Sequence, residues 1–405
     1  MNVMDIEYPE TEEEVARIVA GANAAGLTIE VRGGGTKLTF GRPVQSASTL
    51  SLARLTGITN YDPSELVMAA RAGTPLAEIE AALAANNQML TFEPIDYRPL
   101  LGATGEPSIG GVFAANNSGP RRILAGAARD SLLGVRFVNG TGEIVKSGGR
   151  VMKNVTGLDL VKLLAGSWGT LGVLSEVIFK VLPKPETAVS IVVSGLNDAQ
   201  AAEAMAAAMA MSVEVSGAAH LPESVIHKVA GGRLTGGPVT ILRLEGLTPS
   251  VEVRTTRLVA EMSRRGNVTV LDQAASHDLW RDIRDVKPFA GASMKPVWRV
   301  SVAPSAGHQL VAALRLKTGV DAFYDWQGGL VWLCMEADPE AGLIRQYIKA
   351  LGGGHATLVR ASAAIRASVP VFEPQPRALE ALTRRIKDQF DPSGVLNPGR
   401  MTETM

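Results

Sequence analysis

The chain has 405 residues, of which 46% are hydrophobic and 20% charged, and its 40 lysines and arginines balance its 40 aspartates and glutamates. These values predict a globular protein of two or three domains. The zero formal net charge excludes a global field that would favour nucleic acid or an anionic membrane as partner. The sequence has no apolar run of about 18 residues or more, so we expect no transmembrane helix.

The number and spacing of cysteines and histidines argue against disulfides, iron–sulfur clusters and metal sites. Cys334 is the only cysteine, which excludes intramolecular disulfides and a cysteine-ligated iron–sulfur cluster. The histidines form no His-x-His or His-Glu-x-x-His pattern, so we expect no metal site. Acidic residues and the lack of an apolar segment at the N-terminus argue against a secretory signal, and we expect a cytoplasmic protein.

The first third of the chain predicts alternating helices and strands. A capping box from Thr11 to Glu14 precedes apolar residues at helical spacing, and residues 28–31 predict a strand that runs into Gly33. Further predicted elements are a strand at 66–72, a helix opened by Thr74 and Pro75, a hairpin of 135–138 and 143–146, and a strand at 175–182. Two prolines follow that strand, and we place a domain boundary there.

The middle of the chain predicts the same element order twice. The first series is a strand at 188–194, a helix at 198–211, strands at 213–219 and 239–245, a helix at 251–264 and a strand at 267–271. After a helix at 276–284, the second has a strand at 297–302, a helix at 308–317, strands at 320–325 and 330–336, a helix at 341–351 and a strand at 356–360. This βαββαβ order is typical of ferredoxin-like units. A last amphipathic helix ends at Asp391.

Four separated segments are rich in small residues. They are RGGGTK at 32–37, SIGG at 108–111 leading into NNSG at 116–119, GSWGTLG at 166–172, and NPGR at 397–400. A pyrophosphate needs converging backbone N–H donors, and glycine allows both the close approach and positive φ. The segments match neither a P-loop nor a G-x-G-x-x-G fingerprint, so a Rossmann-type nicotinamide enzyme is disfavoured. They predict a pocket for a long phosphate-bearing ligand, although each alone is also compatible with an ordinary turn.

The same residues resemble a known family. VMKNVTGLDL at 151–160 and LLAGSWGTLGV at 163–173 are similar to the FAD domain of the vanillyl-alcohol oxidase group, and within it to the FAD-binding E subunits (GlcE) of bacterial glycolate oxidase, also called glycolate dehydrogenase. RGGGT at 32–36, IGG at 109–111 and FDPSGVLNPGR at 390–400 fit the same family. The resemblance covers the first ~185 and the last ~15 residues well, and elsewhere it rests on element order.

The resemblance implies a fold and its division. It implies an α+β protein with a PCMH-type FAD-binding domain of two α/β subdomains at 1–185. A ferredoxin-like, antiparallel-sheet cap domain with two βαββαβ-like units would occupy 186–375. The C-terminal helix and tail at 376–405 would return to the FAD domain.

The resemblance also implies cofactor-binding residues. Residues of the first loop would hold the FAD pyrophosphate, the second segment would line the diphosphate and ribityl chain, and the third and fourth would reach the flavin or adenine ends. The implied residues are Arg32, Gly33, Gly34, Gly35, Thr36, Lys37, Ser108, Gly110, Gly111, Asn117, Ser118, Gly119, Gly172, Val173 and Asn397. Some relatives attach FAD through a histidine in the first loop, where this chain has Thr36 and Lys37, so we expect noncovalent binding.

Candidate catalytic residues come from the chemistry of 2-hydroxy-acid oxidation, which needs a cation for the carboxylate. Arg299 and Arg243, each on a predicted cap strand, are candidates for this cation. A salt bridge on a half-exposed strand is the alternative for each, for Arg243 with Glu245. Lys153 lies in the family-like run and is a third candidate, and a capping or ion-pair role is equally compatible with Lys153 and Asp159.

The cap lacks one motif of the relatives that oxidise 2-hydroxy acids. Those relatives carry a histidine-rich metal or substrate motif, and the corresponding hairpin here, residues 324–332, has no histidine. We therefore expect a subunit of a glycolate dehydrogenase complex, with a catalytic D-type flavoprotein and an iron–sulfur subunit as partners. Any association with a membrane would come through these partners. Alternatives are a self-sufficient FAD-dependent 2-hydroxy-acid oxidoreductase and a structural subunit that keeps the flavin fold without turnover.

Overall fold

The computed structural model describes residues 6–150, 158–234 and 237–403. Over these ranges the chain forms four sheets of three, two, eight and five strands together with helices, which confirms the predicted α+β class. The described helices include none long and apolar enough to cross a membrane. Lys153 and the other residues from 151 to 157 lie outside the described ranges, so the predictions that fall on them are not carried further.

The N-terminal part contains three sheets, one of them the two-stranded pair of residues 88–89 and 182–183, together with helices. Its elements are β1 (Ile6–Glu7), α1 (Glu12–Ala25), β2 (Ile29–Arg32), β3 (Ser48–Ser51), β4 (Ile58–Asp62), β5 (Val67–Arg71), α2 (Leu76–Ala84), β6 (Gln88–Met89), α3 (Arg98–Leu101), α4 (Ile109–Ala114), α5 (Arg122–Ala125), α6 (Ala128–Ser131), β7 (Leu132–Val138), β8 (Ile144–Gly148), α7 (Leu160–Leu164), β9 (Val173–Lys180) and β10 (Leu182–Pro183). β1, β3 and β2 form a parallel sheet, and β4, β5, β9, β7 and β8 form an antiparallel one in that order.

Helix α1 shows why these elements form where they do. The capping box is present, because the Thr11 hydroxyl accepts from the Glu14 backbone N–H and the Glu14 carboxylate accepts from the Thr11 N–H. Val15 and Val19 are buried on the face toward the core. The helix ends at Gly26, whose left-handed φ of 65° is open to glycine without steric cost.

The middle part is one eight-stranded sheet with helices. Its elements are β11 (Thr187–Ser194), α8 (Asp198–Ala210), β12 (Gly217–Leu221), α9 (Glu223–Ile226), β13 (Val239–Gly246), α10 (Thr248–Met262), β14 (Asn267–Leu271), α11 (Gln273–Arg284), β15 (Val297–Val302), α12 (Gly307–Arg315), β16 (Val320–Asp325), β17 (Leu330–Met335), α13 (Ala341–Ala350), β18 (Gly354–Arg360) and α14 (Ala363–Ser368). The strand order is β14-β11-β13-β12-β16-β17-β15-β18, and all neighbours are antiparallel.

The strand–helix–strand–strand–helix–strand order occurs twice in this sheet. The two series meet where β12 pairs with β16, at His220 opposite Tyr324. The Tyr324 hydroxyl donates to Asp198 Oδ2 at 2.6 Å, which fastens the second series to the first helix of the first. Helices α8 and α10 cover one face of the first series, and α12 and α13 cover the same face of the second.

The other face of the sheet packs against the N-terminal part. Ile241, Phe323 and Trp332 on this face share a hydrophobic cluster with Ile95 and Tyr97. Side chains alternate along a strand, so residues two positions further on lie on the same face. Arg243 and Asp325 therefore belong to this face. Arg299, which lies opposite Trp332 across β15 and β17, belongs to it as well.

The C-terminal segment returns to the N-terminal part. Helix α15 (Arg377–Phe390) ends with the Phe390 carbonyl accepting from Gly140 N at 2.8 Å. Leu396 then pairs with Ile29 beside β2. The buried Lys387 ammonium donates to Asp391 and to the carbonyls of Thr170 and Leu396, which holds the turn after the helix in place.

The structure differs from the prediction at one strand and adds one helix to a small-residue segment. The strand predicted at 213–219 is Gly217–Leu221, because the buried Val213 and Val215 lie in a turn that only mimics strand alternation. Helix α4, in the second small-residue segment, was not predicted, and the Ser108 hydroxyl caps it by accepting from the Gly111 N–H. Its two glycines disfavour a helix on intrinsic propensity alone.

Candidate functional site

The four small-residue segments surround one cavity that is open to solvent. Clefts lined by backbone and a few polar side chains are typical of cofactor sites. The lining residues are Val31, Arg32, Gly33, Gly34, Gly35, Thr36, Lys37, Leu38, Leu52, Ala72, Ser108, Gly110, Gly111, Ala114, Ala115, Trp168, Gly169, Gly172, Leu174, Asn397 and Arg400. Of the residues predicted for the cofactor, those from Arg32 to Lys37 and Ser108, Gly110, Gly111, Gly172 and Asn397 thus come together.

The first loop follows β2 and lies directly on the second segment. A Cβ at Gly34 would lie 1.6 Å from the Glu106 carbonyl oxygen, and one at Gly33 would lie 2.2 Å from Ser108 Oγ. Only glycine permits this approach, which lets two backbone segments form one wall. Gly35 then turns the chain with φ 79°.

Lys37 brings a cation into the cavity wall. Within the described ranges its ammonium makes no hydrogen bond or ion pair, and it lies 4.0 Å from the position a Cβ at Gly111 would take. Burial lowers the pKa of Lys37 to about 8, against a small opposing effect of Asp96. A bound phosphate would supply the missing negative charge, so the backbone-lined wall and this cation fit a pyrophosphate.

The second segment packs on β5. Gly110 N donates to the Ala72 carbonyl at 2.9 Å, and a Cβ at Gly110 would lie 2.6 Å from the Ala72 Cβ. The absence of a side chain at Gly110 thus brings α4 against the strand. Ser108 and Gly111 are left facing the cavity.

The third and fourth segments are tied together by one side chain. Asn397 Oδ1 accepts from Val31 N at 2.7 Å, and Asn397 Nδ2 donates to the Trp168 carbonyl at 2.8 Å. Asn397 therefore bridges β2, just before the first segment, and the third segment. Its reach to the flavin stays a prediction. Trp168 and Arg400 line the cavity but were not assigned from the sequence, although both lie in motifs singled out there.

Four of the predicted cofactor residues do not line this cavity. Asn117 exchanges hydrogen bonds with the backbone of Ile95, and Ser118 Oγ accepts from Ala128 N at 2.9 Å. The Gly119 carbonyl accepts from Trp326 Nε1 at 3.0 Å, and Val173 is buried in β9. In the structure these residues position the loops around the cavity.

Arg243 is bound within an ion-pair cluster. Its guanidinium donates to both Glu93 oxygens at 2.9 and 2.8 Å and lies 3.3 Å from Glu245. Arg121 joins the cluster through Glu245 at 2.7 Å. Burial opposes ionisation of Glu93, but the charges of Arg243 and Arg121 outweigh it and lower the pKa of Glu93 to about 2. The alternative stated for Arg243, a salt bridge, is the arrangement found, with Glu93 as the main partner.

Arg299 differs, since it makes no hydrogen bond or ion pair to any residue that the structure describes. Its guanidinium lies 4.8 Å from the Trp326 ring centre, and its Nε is buried without a partner. Burial lowers the pKa of Arg299, while Tyr97 and Asp325 oppose this effect. Asp159, also weighed from the sequence, caps α7 through the Lys162 N–H at 3.2 Å. The described side chains include no group of three that could hold a metal ion.

Comparison with known proteins assigns the N-terminal part. The family described as FAD binding domain matches residues 6–148. The chain is 34% identical over 378 residues to the glycolate oxidase subunit GlcE of Escherichia coli (strain K12), covering 92% of this chain and 91% of that protein. It is 24% identical over 420 residues to the glycolate oxidase subunit GlcD of Bacillus subtilis (strain 168), covering 97% and 87%.

The fold has solved counterparts. The structure of 4-ethylphenol oxidase from Gulosibacter chungangensis, in its isoeugenol complex, matches with a TM-score of 0.73 and 16% identity, covering 98% of this chain and 88% of that one. This likeness supports the fold alone and confirms the predicted PCMH-type architecture. The predicted cofactor, FAD, and the predicted class, an FAD-dependent oxidoreductase, are confirmed as well. The chain belongs to the GlcE family of glycolate oxidase subunits.

Proposed function

We propose that this chain is the FAD-binding subunit of a complex that oxidises glycolate to glyoxylate and passes the electrons to a partner subunit. The observation that carries the proposal is the cavity formed by the four small-residue segments, with the half-buried Lys37, which has no side-chain partner among the described residues, in its wall. The relative in Escherichia coli that shares 34% identity is named as a glycolate oxidase subunit, which supports glycolate as the substrate.

The cavity residues divide into holding and positioning roles. Gly33 to Gly35 would offer backbone N–H groups to the pyrophosphate, and Lys37 would add its positive charge. Arg32, Thr36, Ser108, Gly110, Gly111, Gly172 and Asn397 would complete the wall. Since the first loop has no histidine, we propose noncovalent binding of FAD.

The reaction removes one hydride and one proton from glycolate. FAD, when bound, supplies the two-electron oxidation. Arg299 would bind the substrate carboxylate, because it is a half-buried guanidinium with no partner among the described residues. Arg243 is committed to Glu93 and would hold the cap against the FAD domain.

Onward electron transfer would need other chains. A single cysteine, Cys334, cannot hold an iron–sulfur cluster. We therefore propose a catalytic D-type flavoprotein and an iron–sulfur protein as partner subunits, in the cytoplasm and with membrane association through these partners.

One observation favours a second candidate function. The unpaired Arg299 and the acidic Asp325 on the same sheet face give this chain a charged site of its own. Anaerobic addition of glycolate or D-lactate to the isolated flavoprotein tests this candidate. Bleaching of the flavin absorbance without partners would favour a self-sufficient oxidoreductase, and an unchanged spectrum would favour the partner-dependent subunit.

The cofactor site is tested with the variant Lys37→Met. We expect FAD affinity to fall about tenfold or more, because a charged hydrogen bond to the pyrophosphate contributes about 1.5–3 kcal/mol. Lys317→Met, at an exposed lysine of the cap, is the matched control and should bind FAD like the parent chain. If both variants bind FAD with equal affinity, Lys37 does not contribute to FAD binding.

The glycolate assignment is tested by co-expression with D-type and iron–sulfur partners. We expect the three chains to purify together and to reduce a dye when glycolate is added. A colourless chain that does not take up FAD would overturn the cofactor site and leave only a structural role. A yellow complex with no response to glycolate would overturn the substrate.

A further inference from the structure

Two arginines share one tryptophan ring at the boundary between the cap and the FAD domain. The guanidinium carbon of Arg122, at the start of α5, lies 4.4 Å from the Trp326 ring centre, and that of Arg299, on β15, lies 4.8 Å from it. A guanidinium held on an aromatic face keeps its N–H edges free for a planar anion.

Neither guanidinium forms an ion pair with a described residue. Across residues 6–150, 158–234 and 237–403, the side chains of Arg122 and Arg299 make no hydrogen bond and no ion pair, and Arg299 Nε is buried. Asp130 attracts Arg122 and Asp325 attracts Arg299, but both carboxyls lie beyond ion-pair distance, and burial lowers the pKa of both arginines. Two adjacent cations without a contacting anion are unfavourable, so a bound anion would stabilise both.

Other buried arginines of this chain do find acceptors. Arg400 pairs with Glu30 at 3.0 Å, and Arg360 donates to the carbonyls of Lys295 and Phe289. Arg122 and Arg299 differ from these arginines, because no described residue accepts a hydrogen bond from their side chains. This difference indicates a ligand from outside the chain.

The position of the pair agrees with a substrate site. Trp326 Nε1 donates to the Gly119 carbonyl, which fixes the ring against the FAD domain. Tyr97 lies near the Arg299 charge. The ring centres of Tyr97 and Phe40 are 5.5 Å apart, and those of Phe40 and Trp168 are 4.6 Å apart. Trp168 lines the cofactor cavity, so the contacting rings of Tyr97, Phe40 and Trp168 lead from the neighbourhood of Arg299 to that cavity.

We propose that Arg122 and Arg299, held on Trp326, form the site that binds the carboxylate of a small 2-hydroxy acid. The proposal rests on the proposed function for the identity of the acid. Both side chains are half-buried, so a two- or three-carbon anion reaches them more easily than an aspartate or glutamate side chain on the surface of a partner protein. Two guanidiniums also favour a doubly charged analogue over a singly charged one.

Oxalate is a suitable probe, because it has the size of glycolate, carries two carboxylates and has no hydrogen to lose. The full chain loaded with FAD is titrated with oxalate, and heat of binding and flavin absorbance are recorded. We expect Arg122→Met and Arg299→Met each to weaken binding about tenfold or more. Arg129→Met, at an exposed arginine seven residues after Arg122, is the matched control and should bind like the parent chain.

The outcomes separate this site from the proposed function. If the parent chain holds FAD but binds no oxalate, or if both variants bind it like the parent, the arginine site is overturned while the cofactor assignment stands. If the variants bind oxalate like the parent chain but no longer purify with the partner subunits, Arg122 and Arg299 bind a carboxylate of a partner subunit and not the substrate. If either methionine variant does not fold, the corresponding variant Arg122→Lys or Arg299→Lys replaces it. We expect its oxalate affinity to be lower than that of the parent chain, but by less than the tenfold loss expected for methionine.

Discussion

Two groups of arginines lie on the same boundary between the cap sheet and the FAD domain, and they differ in their partners. Arg121 and Arg243 are bound to Glu93 and Glu245 at 2.7–3.4 Å. Arg122, the next residue after Arg121, lies over the Trp326 ring, as Arg299 does, and neither side chain forms an ion pair or hydrogen bond within the part of the chain that the structure describes. The paired cluster can join the two parts of the chain, whereas the unpaired one is left for a ligand.

The difference follows from the cost of burying charge. A buried charge is tolerated when an opposite charge and hydrogen bonds compensate it, and removing one partner leaves the other uncompensated. The paired cluster has this compensation, as the lowered pKa of Glu93 indicates. The unpaired arginines lack it, so their substitution should affect binding more than folding.

The largest expected effect comes from Glu93→Gln. The change leaves Arg243, which is 2% exposed, without its main counter-ion, and we expect a loss of about 3 kcal/mol or more in the free energy of unfolding. Urea unfolding of the parent and the variant measures it. Asp278→Asn is the control, since the Asp278–Arg281 pair is exposed and should contribute less than about 1 kcal/mol. Equal losses in both variants would contradict the structural role of the paired cluster.

The next effect is a pH dependence at Asp325, which lies between the two groups. Burial raises the pKa of Asp325 to about 7 from 3.8, so its contribution to stability is fully present below about pH 4 and is lost as pH rises through 7. The shift of about 3 pKa units corresponds to at most about 4 kcal/mol. In Asp325→Asn this loss should be absent.

The test compares unfolding free energies of the parent and Asp325→Asn at pH 5 and pH 9. As pH rises from 5 to 9, the free energy of unfolding of the parent should fall relative to that of the variant. A constant difference would mean that Asp325 is ionised throughout and belongs to the paired group through Arg243.

The sequence predicted the cofactor cavity well, because glycines report on backbone geometry. Gly34 and Gly110 are needed where two backbones touch, and Gly33 is needed where the Ser108 side chain approaches. This requirement is local enough to be visible in the sequence. Short apolar and β-branched runs likewise predicted most cap strands, since both faces of the cap sheet are covered. Strands β3 and β4 were not predicted, because they are short and carry polar residues.

The charged boundary could not be predicted in the same way. Glu245 is two residues from Arg243 and was named as its partner, whereas Glu93 is 150 residues away and no pattern links the two. Arg122 was not singled out, because its role depends on Trp326 in a distant hairpin. The positive φ values of 50° at Trp326 and 55° at Gln327, which aim the ring at both arginines, depend on the packing around that hairpin.

The smallest expected effect on folding is that of the unpaired arginines. Arg122→Met or Arg299→Met removes a contact with Trp326 of about 0.5–2 kcal/mol but also removes the repulsion between two cations. We expect the free energy of unfolding to change by less than about 1 kcal/mol, because methionine keeps the apolar packing of the arginine stem. Oxalate at 100 times its dissociation constant should stabilise the parent by about 2.7 kcal/mol and the variants much less. A loss of several kcal/mol without ligand would instead place Arg122 and Arg299 with the paired group, as residues that hold the cap against the FAD domain.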